Sequence, residues 1–210
     1  MLVDFGKKTL YRLNIGDKIQ IYACGLGLHL PDFPQITVTN CAPGLLRRWK
    51  LRARNGVLEV RVTHMVPAAI IGSGLGKNNV WRGDFDIQLF DPPTRRHHRL
   101  DTLRFGDLVA VLDSDARFGA AWHGGRVTIG VVVHSDSTTA GHGPGVTPLL
   151  TGPASCLRPI CDSGANIAFL YQRRVVLPPR VRQPFAGRIQ PAASPARQQF
   201  STFRDKMAFT

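Results

Sequence analysis

Val57-Leu58-Glu59-Val60-Arg61-Val62 decides the fold class. The even positions are apolar, while Glu59 and Arg61 point the other way. That period of two marks a strand with one buried face. Phe105-Gly106-Asp107-Leu108-Val109-Ala110-Val111 is apolar almost throughout after its Gly-Asp turn, and reads as a strand buried on both faces. Ile15-Gly16-Asp17-Lys18-Ile19-Gln20-Ile21 repeats the turn and then alternates. Further strands are expected at 35–39, 85–90 and 126–134. Only Pro43 to Asn55 looks helical, with Leu45, Leu46 and Trp49 on one side and Gly56 as its C-terminal stop. With 21 glycines and 15 prolines to turn the chain, the expected fold is mainly β, a barrel or sandwich with few short helices.

The 210 residues are divided into a partial N-terminal β domain at 1–60, a second β domain at 61–172 and a tail at 173–210. The tail is rich in Pro, Arg and Gln, has no periodicity, and is expected to be disordered. Net charge is +13, from 27 Lys and Arg against 14 Asp and Glu. Eight of those cations and one acid lie in the tail, so the body is only moderately basic. Such a surface suits phosphates. Cys24, Cys41, Cys156 and Cys161 form no Cys-x-x-Cys pair, which argues against a thiolate zinc site. No apolar run approaches the roughly 20 residues that cross a bilayer, and no signal-peptide core opens the chain. The expectation is a cytoplasmic protein with free thiols and no membrane partner.

The segment richest in chemistry is Val131 to Thr147. An apolar strand delivers His134 and Asp136, which share a face if the strand continues, and a glycine-rich loop presents His142. Imidazoles and a carboxylate meeting at one point suit a divalent metal, with Asp84 or Asp113 completing the shell. They equally suit a proton-transfer pair. Gly141, Gly143 and Gly145 would let backbone amides approach an anion. The plainer alternative is a loop whose acids cap turns. Gly83-Asp84-Phe85-Asp86 puts two carboxylates on one strand face. Asp113-Ser114-Asp115 begins like a calcium loop but lacks a third acid and sets Arg117 nearby. Gly72 to Lys77 resembles a phosphate loop without its spacing. Arg47, Arg48, Lys50, Arg52 and Arg54 surround Trp49, a pattern of cations beside a ring that could hold single-stranded nucleic acid or could simply be a solvated helix face.

Ile15 to Gln20, Val62 to Pro67, Gly83 to Ile87, Leu103 to Ala110, Val127 to Thr147 and Cys161 to Ala168 together resemble a prokaryotic family catalogued as domain of unknown function 4438. The likeness runs from Leu2 to Tyr171, and the motifs keep a fixed order. It implies an N-terminal single-stranded-DNA-binding domain, which this chain would enter part-way, followed by a separate C-terminal domain with no established activity. A fainter likeness to acetamidase/formamidase enzymes rests on Asp84, Asp86, His134, Asp136 and His142. Three functions therefore stand open: a single-stranded nucleic-acid-binding module, a metal-dependent amidase-like hydrolase, and a structural subunit of a homo-oligomer.

Overall fold

A computed structural model describes residues 7–19, 27–74, 83–171 and 208–209. The strands in chain order are β1 (Leu28–His29), β2 (Thr37–Val38), β3 (Arg52–Arg54), β4 (Val57–Val62), β5 (His64–Pro67), β6 (Phe85–Asp86), β7 (Leu108–Asp115), β8 (Ala121–Val132), β9 (Gly145–Pro153), β10 (Leu157–Cys161) and β11 (Ala208–Phe209). Among the described residues four short α-helices accompany them: α1 (Lys7–Leu10), α2 (Pro43–Arg48), α3 (Pro92–His97) and α4 (Ile167–Leu170). The fold is mainly β, as the alternation requires.

Among the described residues the sheets do not close into a barrel. The largest runs β2-β9-β8-β7-β5, with β6 added to β9. A second runs β10-β4-β3, and β1 pairs β11. Two of the pairings, β4 with β10 and β5 with β7, are parallel. β4 and β5 are separated only by Thr63, whose N–H bonds Leu108 O at 2.7 Å. One stretch of chain thus leaves the smaller sheet and enters the larger.

The large sheet is covered on both faces. Leu108 and Ala110 of β7 join Leu58, Val60, Val62, Ile129 and Trp49 in one apolar cluster. Val109 and Val111 point the other way, into a cluster with Phe85, Ile87, Val132 and Val146. Leu58, Val60 and Val62 are fully buried on one side of β4, which is the face the alternation assigns.

The segment expected to be one helix from Pro43 to Asn55 is instead a six-residue helix followed by a hairpin. α2 ends at Arg48, and β3 returns against β4 with Arg54 opposite Val57. Asn55 and Gly56 form the two-residue loop, at φ 49° and 73°. Positive φ at both central positions is the requirement of the type I′ turn whose twist matches a hairpin, and Asn-Gly supplies it at low cost. Gly56 is therefore a turn residue and not a helix stop. Ile15 to Ile19 is in no strand, and Gln20, Ile21 and Cys24 lie outside the described residues. So does the tail expected to be disordered, apart from Ala208–Phe209, which pair antiparallel with Leu28–His29. Among the described residues no helix is long and apolar enough to cross a membrane.

Candidate metal centre

β9 lies between β6 and β8, and its first residue organises the site. Asp86 of β6 stands opposite Gly145, and Val133, just beyond β8, donates its N–H to Gly145 O at 2.9 Å on the other side. The flanking strands are about two inter-strand spacings apart, close to 9.5 Å. Side chains reaching inward from both can meet only if the strand between them presents nothing. A Cβ built on Gly145 would collide with Asp84 Oδ2 and His134 Nε2 together. Glycine is thus required here for space and not for backbone freedom.

Over that gap His134 Nε2 lies 2.6 Å from Asp84 Oδ2 and 3.5 Å from Asp86 Oδ1. One ligand atom from each of Asp84, Asp86 and His134 falls within 4.8 Å of the others. The Asp86 side chain is 6 % exposed, whereas those of Asp84 and His134 are 24 % and 37 % exposed. The site is therefore floored by a buried carboxylate and open at the top.

Hydrogen bonding fixes the imidazole. His134 Nδ1 lies 3.0 Å from Ser135 O. A carbonyl oxygen only accepts, so Nδ1 carries the proton. In the neutral ring this turns the Nε2 lone pair towards two carboxylate oxygens. Three acceptors converging in this way need a shared proton or a metal ion among them. Backbone carbonyl contacts of this kind are how metal-binding histidines are held in the ligating tautomer.

The loop from Ser135 to Pro144 packs back onto β6. Ile87 N–H bonds Pro144 O at 2.9 Å, and Ser73 N–H bonds Gly141 O at 2.7 Å. His142 Nδ1 donates to Asp86 Oδ2 at 2.9 Å. Gly143 N–H also points at that oxygen, at 3.4 Å. A Cβ on Gly143 would strike Ile87 O, and one on Gly72 would strike Gly141 O. Gly143, Gly72 and Gly74 thus permit close approach to the backbone of Ile87, Gly141 and Asp84, whereas a Cβ on Gly141 would meet open space. Residues 75–77 of the phosphate-loop look-alike lie outside the described residues.

The other candidates are placed elsewhere. β8 ends at Val132, so the alternation that would align Asp136 with His134 is lost; Asp136 is exposed and accepts from Ser137 N–H at 2.8 Å. Asp113 sits at the far end of β7, in a bulge at φ 56°, and accepts from Gly125 N–H at 2.9 Å. Asp115 is bonded by Arg117, as its position beside that cation suggested. Arg47, Arg48, Lys50, Arg52 and Arg54 are all exposed. Trp49 is not a surface ring: it is 2 % exposed, packed in the core, and donates Nε1–H to Arg61 O at 3.0 Å. Its indole is unavailable for stacking on a base. Arg48 instead lies over the Tyr171 ring at 4.8 Å.

Family models for the domain of unknown function DUF4438 match nearly the whole described body, the N-terminal model over residues 1–47 and the C-terminal model over 48–171. The chain belongs to the DUF4438 family. The junction between the two DUF4438 models falls inside α2, and Asp84, Asp86 and His134 all lie in the C-terminal one. A solved protein described as "Crystal structure of TM1086" is 36 % identical, with a TM-score of 0.62. The match covers 66 % of this chain and 48 % of that one, so this DUF4438 chain spans about half the length of that relative. No curated protein matches. The likeness to acetamidase/formamidase enzymes gains no support from these matches.

Proposed function

We propose that this DUF4438 chain binds a divalent metal through Asp84, Asp86 and His134 and uses it as a hydrolytic centre of the amidase type. The observation that carries this reading is the lone pair of His134 Nε2 held against two carboxylates over Gly145. Two oxygens and one imidazole nitrogen suit a borderline ion such as Zn²⁺, Mn²⁺ or Fe²⁺ better than Ca²⁺, which takes oxygen ligands. Three protein ligands with an open face leave positions for water and substrate, the pattern of catalytic rather than structural sites. A metal so held would polarise a carbonyl or lower the pKa of bound water.

Elemental analysis of the purified chain tests this directly. One equivalent of metal is expected, lost in His134→Ala and Asp86→Ala and retained in Asp136→Ala. A metal-free chain that also takes up no Zn²⁺ or Mn²⁺ would make the cluster an imidazolium–carboxylate pair and remove the hydrolytic reading.

A second reading concerns the exposed cations of α2 and β3. Arg52 and Arg54 lie on the edge strand of the smaller sheet, beside Arg47, Arg48 and Lys50. This supports backbone contact with single-stranded nucleic acid without a stacking ring. Each phosphate contact adds about −0.7 to the slope of log affinity against log salt, so five would give about −3.5. A flat salt response would exclude it.

A further inference from the structure

We propose that His142 is a positioning residue for the metal, orienting the Asp86 carboxylate from behind, and is not itself a ligand. This rests on the metal reading above. The two oxygens of Asp86 have different tasks. Oδ1 faces His134 Nε2 at 3.5 Å, on the metal side. Oδ2 accepts from His142 Nδ1 at 2.9 Å, with the Gly143 amide more distant at 3.4 Å. A carboxylate in its ionised form only accepts, so the proton sits on His142 Nδ1. The nitrogen nearest the cluster is therefore committed to Asp86, and the lone pair of the neutral ring lies on the opposite atom, Nε2.

The need for such a partner follows from aspartate itself. Its terminal torsion is broad and nearly two-fold, so a carboxylate held at one end only can offer either oxygen over a range of angles. The His142 bond removes that freedom at the one ligand that is buried, leaving Oδ1 aimed over Gly145. Outer contacts of this kind typically govern about 10–100-fold in metal affinity. Sequence spacing alone could not separate ligand from positioner, because both demand an imidazole in a loop opposite a carboxylate.

The test is Zn²⁺ affinity of the full chain by competition with a chromophoric chelator, together with the visible spectrum of the Co²⁺-loaded protein. His142→Ala should bind Zn²⁺ about 10–100-fold more weakly and still hold one equivalent. His142→Asn, whose amide N–H can replace the Nδ1 donor, should restore most of that loss and return the Co²⁺ spectrum towards the original. Unchanged affinity in His142→Ala would overturn the proposal. Abolished binding in both variants, matching Asp86→Ala, would also overturn it by making His142 a ligand. If the unsubstituted chain binds neither Zn²⁺ nor Co²⁺, the metal reading fails first, a result distinct from either.

Discussion

Replacing Gly145 by alanine should separate the proposed metal centre from the fold. The added methyl would lie where Asp84 Oδ2 and His134 Nε2 now stand, and ordinary contact begins only at 3.4 Å. Each atom must therefore retreat by roughly an ångström or more, against a tolerance of about 0.2 Å for metal–ligand distances. Two of three ligands are lost together. The expected weakening of Zn²⁺ binding is at least about 100-fold, equivalent to about 2.8 kcal/mol at about 1.4 kcal/mol per tenfold. Both displaced groups are ends of partly exposed side chains that can swing into solvent, so the cost to the metal-free fold should stay near the low end of the about 1–3 kcal/mol typical of overpacking. Gly143→Ala provides the contrast, because its methyl would meet the Ile87 backbone carbonyl and should destabilise the fold itself. Gly124→Ala, with its nearest neighbour a Trp122 ring carbon at 3.9 Å, should change neither quantity. Calorimetric titration with Zn²⁺ and denaturant unfolding in chelator read the two effects separately. Metal binding by Gly145→Ala as tight as that of the unsubstituted chain would refute the geometric argument.

Trp49→Phe removes the Nε1–H bond to Arg61 O inside the core and should cost about 1–3 kcal/mol in urea unfolding, with no selective loss of nucleic-acid binding. Asp107 is fully buried and bonded by Arg104 and Asn166; Asp107→Ala strands the Arg104 charge and should cost about 3–5 kcal/mol, measured by the same unfolding curves. Burial lowers the pKa of His64 below 6.5, against the raising influence of Asp107 and of the Arg99 carbonyl. The folded chain thus resists a proton that the unfolded chain accepts, so the stability contributed by neutral His64 is present above about pH 6.5 and falls as pH drops below it. His64→Gln should flatten that part of the stability–pH profile. Burial also pushes the Cys41 thiol up to about 12, while Cys161 is exposed; at pH 8 a maleimide should label Cys161 rapidly and Cys41 only on unfolding.

What could be read from the sequence was local. The alternation of Val57 to Val62 and the unbroken apolar run of Leu108 to Val111 report burial on one face and on two, and the strands carry that burial. Asn55-Gly56 was equally local but was ambiguous: glycine ends helices and turns hairpins alike, and only the paired positive φ values decide. The parallel partnership of β4 with β10 had no local signal, since nothing in Leu58 specifies Leu157. For the candidate site, Asp84, Asp86, His134 and His142 could be picked out as residue types able to do the chemistry. Which of them meet depended on where β8 stops and on a glycine in a third strand. Asp136 follows the end of β8 and is exposed, while Asp113 lies at the opposite end of β7, so neither stands beside Asp84, Asp86 and His134.

The centre takes its side chains from segments some fifty residues apart and assembles them across a strand that must already be in register. Such an arrangement cannot nucleate folding in the way that closely spaced zinc ligands do. Long-range pairings of this kind are formed late and slowly, and only then do the ligands face one another. A metal captured by the finished protein would leave the folding rate almost untouched and would slow unfolding instead. For this chain, metal would act as a lock on a completed structure, lengthening its lifetime without guiding its formation.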